Sequence, residues 1–258
     1  MVGSGGTLLS SRGCNSYRTW KGQALRGQAT AGVEKRRLVS MPRQDRAAIG
    51  SPGEVEALYR GVGRALDTLA GNGRKVGDCR HGVYLFYDYD GEPIYVGQTR
   101  EKLRVRIGRH LTNQRTDAVA MSVLDPFEVA EIEMWPFWSV PKDKEGIAGV
   151  LDSAEFTVYS DALARSEFGM VLNEKPVQKT ETIVLPPSVR VAILSGAERT
   201  AREHPDIRLA RRARTMANLA RIIGERRVQT GIRRTLWAQA QRLGGMARKR
   251  LTDFEKGD

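Results

Sequence analysis

The sequence predicts an α+β fold, and three observations predict it. Two runs dense in β-branched and aromatic residues, 82–87 and 93–97, stand on either side of Asp90-Gly91, the pattern of a β-hairpin with a loop of a few residues. Segments with apolar residues at helical spacing precede and follow them. Beyond Pro186-Pro187 the chain turns to arginine-rich helical periodicity.

Taken in order, residues 1–50 are rich in Gly, Ser, Arg and Ala without a hydrophobic period, and they read as a disordered basic leader, with Met41 an alternative start to Met1. A domain follows over 51–180. Ser51 is placed to cap a helix, Pro52 to occupy its first position and Glu54 to close a capping box. Val55, Leu58, Tyr59, Val62, Leu66 and Leu69 then form one apolar face, ending near Gly71-Asn72-Gly73. After the hairpin comes a basic helix from about 101 to 111. Alternation from Phe127 to Trp135 reads as a third strand, and a helix is expected over Ser153–Ser166 with Asp152 as its cap. Pro186-Pro187 reads as a linker to a basic helical module over 188–258, whose helices span about 206–223 and 231–251.

Charge narrows the class of partner. The 258 residues carry a net charge of +12, held at the ends. Residues 1–33 contain four basic and no acidic residues, and 200–258 contain fifteen basic and six acidic. Such ends fit a polyanion, nucleic acid ahead of a membrane surface. No run approaches the ~18 apolar residues of a membrane span. Cys14 and Cys79 support neither a disulfide framework nor a four-cysteine zinc site, so a reducing, cytoplasmic setting is expected. His81, His204 and Cys79 have no partners at metal-ligand spacing.

The chemistry-bearing residues are Tyr84 and Tyr95 on the paired strands, Arg106 and His110 four apart on one helical face, and Glu155 on the later helix. Singly, each has an ordinary explanation: strand packing for the tyrosines, a solvated helix surface for the others. Together, Gly82-Val83-Tyr84 followed by Tyr95-Val96-Gly97 resembles the paired signature of the GIY-YIG nucleases, and 103–110 resembles the helix that follows it. Glu155 and Asn173 match the last two motifs of that family. The resemblance covers about 80–177, and it implies a three-stranded antiparallel sheet flanked by helices that hydrolyses phosphodiester bonds with one divalent metal.

A phosphodiester repels hydroxide, so such a site must supply positive charge, an activated water and stabilisation of the departing oxygen. Glu155 offers a hard oxygen ligand to Mg²⁺ or Mn²⁺, with Glu167 the fallback. Arg106, or Arg104 in its place, suits non-bridging phosphate oxygens. The resemblance implies Tyr84 as base with His110 assisting, Tyr95 orienting water or phosphate, and Asn173 a positioning residue. Arg104, Arg109, Arg208, Arg211, Arg212, Arg233 and Arg234 are the expected nucleic-acid contacts. Trp237, with few other aromatics near it, favours backbone gripping over base stacking. The expected activity is metal-dependent cleavage of DNA, with RNA left open. The alternative is a non-catalytic nucleic-acid-binding protein with a retained nuclease fold.

Overall fold

The computed structural model describes residues 53–112, 123–173 and 175–256. The expected leader over 1–50 lies outside them. Helix α1 spans Gly53–Asp67, strands β1 and β2 span Gly82–Tyr87 and Pro93–Thr99, and α2 spans Leu103–Leu111. Strand β3 (Glu131–Pro136) leads to α3 (Lys144–Arg165), β4 (Val189–Ala192), α4 (Gly196–Glu203), α5 (Pro205–Glu225) and α6 (Thr230–Glu255).

The sheet has four antiparallel strands in the order β2-β1-β3-β4, not the three expected. Strand β4 escapes sequence reading because it is four residues long, follows two prolines and alternates half-buried with exposed positions. It nevertheless zips onto β3 from Glu131↔Ala192 to Met134↔Val189. Three other boundaries move. Pro126–Glu128 form a 3₁₀ turn, capped by the Asp125 carboxylate accepting from the Phe127 amide, so β3 begins later than Phe127. Helix α3 begins at Lys144, capped by Asp143 rather than Asp152. The short α4 precedes the first helix expected in the basic region, which was placed from about 206.

Side-chain alternation sends the central strand to two cores. Tyr84, Phe86, Ile132 and Met134 face one, closed by α1 and α2, while Val83, Leu85, Tyr87 and Trp135 face the other, closed by Ala154, Val158 and Ala162 of α3. Leu103, Ile107 and Leu111, spaced four apart, are fully buried, and each stabilises the α2 seat by roughly 1.5–3 kcal/mol.

Residues 188–258 were expected as a module of their own. In the structure Ile193, Leu194, Leu219, Ile232 and Ala238 join the same core as Tyr84 and Phe86, and the described residues fall in one compact unit. The β1–β2 turn ties them together. Gly91 takes φ 77°, which favours glycine, and Asp88 Oδ1 accepts from the Asp90 and Glu92 amides. The other Asp88 oxygen lies 2.6 Å from Arg212 and 3.4 Å from Arg208, both of which also reach Glu128. Asp88, Glu128, Arg208 and Arg212 are all buried, so each charge depends on its partners. No helix among the described residues is long and apolar enough to cross a membrane.

Candidate active site

The two motif glycines are explained by what passes over them. A Cβ on Gly97 would lie 2.5 Å from the Tyr84 hydroxyl and 2.6 Å from Cζ, because Tyr84 and Gly97 are direct cross-strand partners and the phenol lies over the bare backbone. A Cβ on Gly82 would meet both Leu103 methyls at 3.0 Å, so this glycine lets α2 approach the sheet. Tyr95 pairs with Phe86 on the same face, its ring 6.4 Å from that of Tyr84.

Helix α2 buries Leu103, Ile107 and Leu111 and thereby turns Arg106 and His110 toward the tyrosines. The His110 ring sits 5.1 Å from Tyr95 and 5.8 Å from Tyr84, with Nε2 3.4 Å from the Tyr84 hydroxyl. Arg106 hydrogen-bonds Tyr84 and lies within electrostatic reach of Tyr95 and Glu155. Burial opposes the charge on Arg106, but Tyr84, Tyr95 and Glu155 outweigh it and hold the guanidinium protonated above its ordinary range. Its Nε is buried without a hydrogen-bond partner.

Glu155 arrives from the opposite face of the sheet. Strand β2 is an edge strand, so α3 and α2 meet around its end, beside an open groove lined by Gln98, Thr99, Arg100, Glu101 and Arg106. The Gln98 amide donates to Asp152 at 2.6 Å and to Glu155 at 3.0 Å. Burial raises the Glu155 pKa and Asp152 adds to the rise, against Gln98 and Arg106. Asn173 acts on the same strand as a stand-in neighbour: its Oδ1 accepts from the Val96 amide at 3.1 Å and its Nδ2 donates to the Val96 carbonyl at 2.8 Å. It therefore holds the edge of β2.

The structure thus brings Tyr84, Tyr95, Arg106, His110 and Glu155 to one end of β2, with Asn173 behind them. Several other expectations need correction. Arg104 is committed to Asp67, Asp78 and the Leu66 carbonyl, tying α2 to α1. Arg208 and Arg212 are buried ion-pair partners, not surface contacts. Arg211 reaches Glu54 and lies over Phe127. Arg109 is partly exposed and pairs with Glu101. Glu167 lies past the end of α3, its amide bonded to Glu92, away from the site. By contrast, Arg233 and Arg234 are exposed.

Two residues were missed. Gln98 directly follows the Tyr95-Val96-Gly97 motif, and strand alternation would have sent it to the face opposite Tyr95. Asp152 lies three residues before Glu155, a spacing that shares a helical face. It passes for a cap because Asp at a helix start is common, and only the longer α3 excludes that role.

The donor set suits a hard cation. Two carboxylates share one amide, and the Gln98 carbonyl oxygen is buried without a partner. Among the described residues no three His, Cys, Asp or Glu side chains form a cage.

Residues 80–147 match the family model of the GIY-YIG catalytic domain. The match takes in Tyr84, Tyr95, Arg106 and His110 and stops before Glu155 and Asn173. No curated protein and no solved structure compared with the chain matches it.

Proposed function

We propose that the chain, whose residues 80–147 match the family model of the GIY-YIG catalytic domain, is a metal-dependent endonuclease cleaving phosphodiester bonds in DNA, since nucleases with that domain act on nucleic acids and generally use divalent metal ions. The observation that carries this reading is Arg106. A half-buried guanidinium whose Nε is buried and unsatisfied, in the wall of an open groove, calls for an anion. A phosphate oxygen entering beside Gln98 and Thr99 meets it, and developing charge on the phosphorus centre strengthens that contact.

The remaining residues divide the work. Arg106 donates to the Tyr84 oxygen, which leaves the phenolic proton free to pass to His110 Nε2 across the 3.4 Å gap when that nitrogen carries no proton. Tyr84 then accepts a proton from the attacking water. Tyr95, stacked on Phe86 and tilted against His110, orients that water or the phosphate. Glu155, held with Asp152 by Gln98, is the residue to hold Mg²⁺ or Mn²⁺. Such an ion, when bound, neutralises the phosphate and the departing oxygen. Asn173 keeps the Tyr95–Gly97 backbone in register.

The test is incubation of supercoiled plasmid with the purified chain and Mg²⁺ or Mn²⁺, beside Glu155→Ala. Nicking by the parent and not by the variant supports the proposal. Equal nicking by both, or none by either, defeats it.

A further inference from the structure

Residues 226–252 hold eight basic residues and no acidic one, yet their arginines have two different fates. Arg242 is fully buried, donating to the Pro93 and Met170 carbonyls and paired with Glu92. Arg250 is bidentate to Asp206. Arg226, Arg227, Arg233 and Arg234 are exposed, and among the described residues no carboxylate pairs with any of them. Four like charges within nine residues, without counter-charge, repel one another and favour a polyanion.

Their position is informative. Through Arg242 and Pro93, α6 lies against the start of β2, the strand that carries Tyr95 and Gly97. Its first turns bury Ile232 and Ala238 in the core shared with Tyr95. Burial raises the Tyr159 pKa and Arg234, near enough to α3 to be felt there, opposes that rise; Tyr159 lies four residues beyond Glu155. Trp237, three residues after Arg234 and on the same side of the helix, is 58% exposed, a large apolar surface standing in water beside unpaired cations.

We propose that the α5–α6 turn and the first two turns of α6 form a nucleic-acid docking face continuous with the Glu155 site, in which Arg226, Arg227, Arg233 and Arg234 grip backbone phosphates and Trp237 lies against the bound strand. This rests on the nuclease reading above. It places the flank of the substrate: a strand with its scissile phosphate at Arg106 runs past Tyr159 toward α6 within a few nucleotides, at about 3.4 Å rise each. Unpaired charge selects the backbone, and an exposed indole offers a flat face to a sugar or an unstacked base.

The experiment uses the full chain without metal and a fluorescent duplex oligonucleotide, titrated across a range of salt. Reversing both charges, Arg233→Glu with Arg234→Glu, is expected to weaken binding about ten-fold or more and lower the salt slope by about 2, near 0.9 for each lost phosphate contact. Replacing both by Lys restores most of the slope, and Trp237→Phe removes the part of the fluorescence change caused by DNA. Unchanged affinity and slope in the charge-reversed protein overturn the proposal. So does a loss of self-association in Trp237→Ala with DNA binding intact, which assigns the face to a second copy of the chain. Plasmid nicking by Glu155→Ala reports separately: nicking equal to the parent, with binding weakened by charge reversal, keeps the docking face and removes the catalytic reading.

Discussion

The Tyr84 hydroxyl lies where a side chain on Gly97 would begin, 2.5 Å from an ideal Cβ. Gly97→Ala therefore forces the phenol or strand β2 to move. The expected cost is about 1–3 kcal/mol of stability from overpacking, and cleavage falls on the order of 100-fold, as a displacement of about 1 Å in a reacting group can cause. A double-mutant cycle in urea checks the cause: on a Tyr84→Ala background the same substitution should lose most of its stability cost.

Glu155 is held in a site that disfavours its charge, chiefly through burial, with Asp152 adding to it. A carboxyl whose pKa is raised by folding binds its proton more tightly folded than unfolded. The metal-free protein therefore loses stability as pH rises from the ordinary carboxylate value through the raised one. Glu155→Gln should abolish metal-dependent nicking while raising the neutral-pH melting temperature in EDTA by a few degrees, about 2–4 °C per kcal/mol. Melting curves of parent and variant should converge at acid pH.

Asn173 replaces a missing neighbour strand at Val96 through two hydrogen bonds. Asn173→Ala should destabilise the chain by about 1–3 kcal/mol, because the Val96 groups lose their partners. Hydrogen exchange at the Val96 amide should accelerate, and kcat should fall more than KM rises, since the strand carrying Tyr95 loosens while the groove stays in place.

Arginines of the same C-terminal region should divide sharply by burial. Arg212→Ala leaves Asp88 and Glu128 buried with reduced compensation, and should cost about 3–5 kcal/mol. Arg233→Ala, at an exposed position, should stay within about 0.5 kcal/mol of the parent. Urea unfolding of the two variants checks this. The Arg212 loss should persist at high salt, because a buried pair is little screened.

Much of this site is written in short-range pattern. Glycine and tyrosine at fixed offsets on two strands, arginine and histidine four apart, and an apolar face at 103, 107 and 111 are local features, set by the periods of strand and helix. They place Tyr84, Tyr95, Arg106 and His110 without knowledge of any distant contact. Glu155 and Asn173 lie further along the chain, and their nearness to β2 depends on how α3 and the segment after it fold back around an edge.

The sequence by itself determined the α+β class, the hairpin, the catalytic-domain match and the basic character of the C-terminal region. Only the tertiary structure decided that β4 completes the sheet, that Gln98 joins Asp152 to Glu155, and that Arg208 and Arg212 lie inside while Arg233 and Arg234 face water. The physical reason is that an arginine's charge is the same in every window of sequence. Whether it meets a carboxylate or solvent depends on residues far away in the chain, such as Asp88 and Glu128, which only packing brings near.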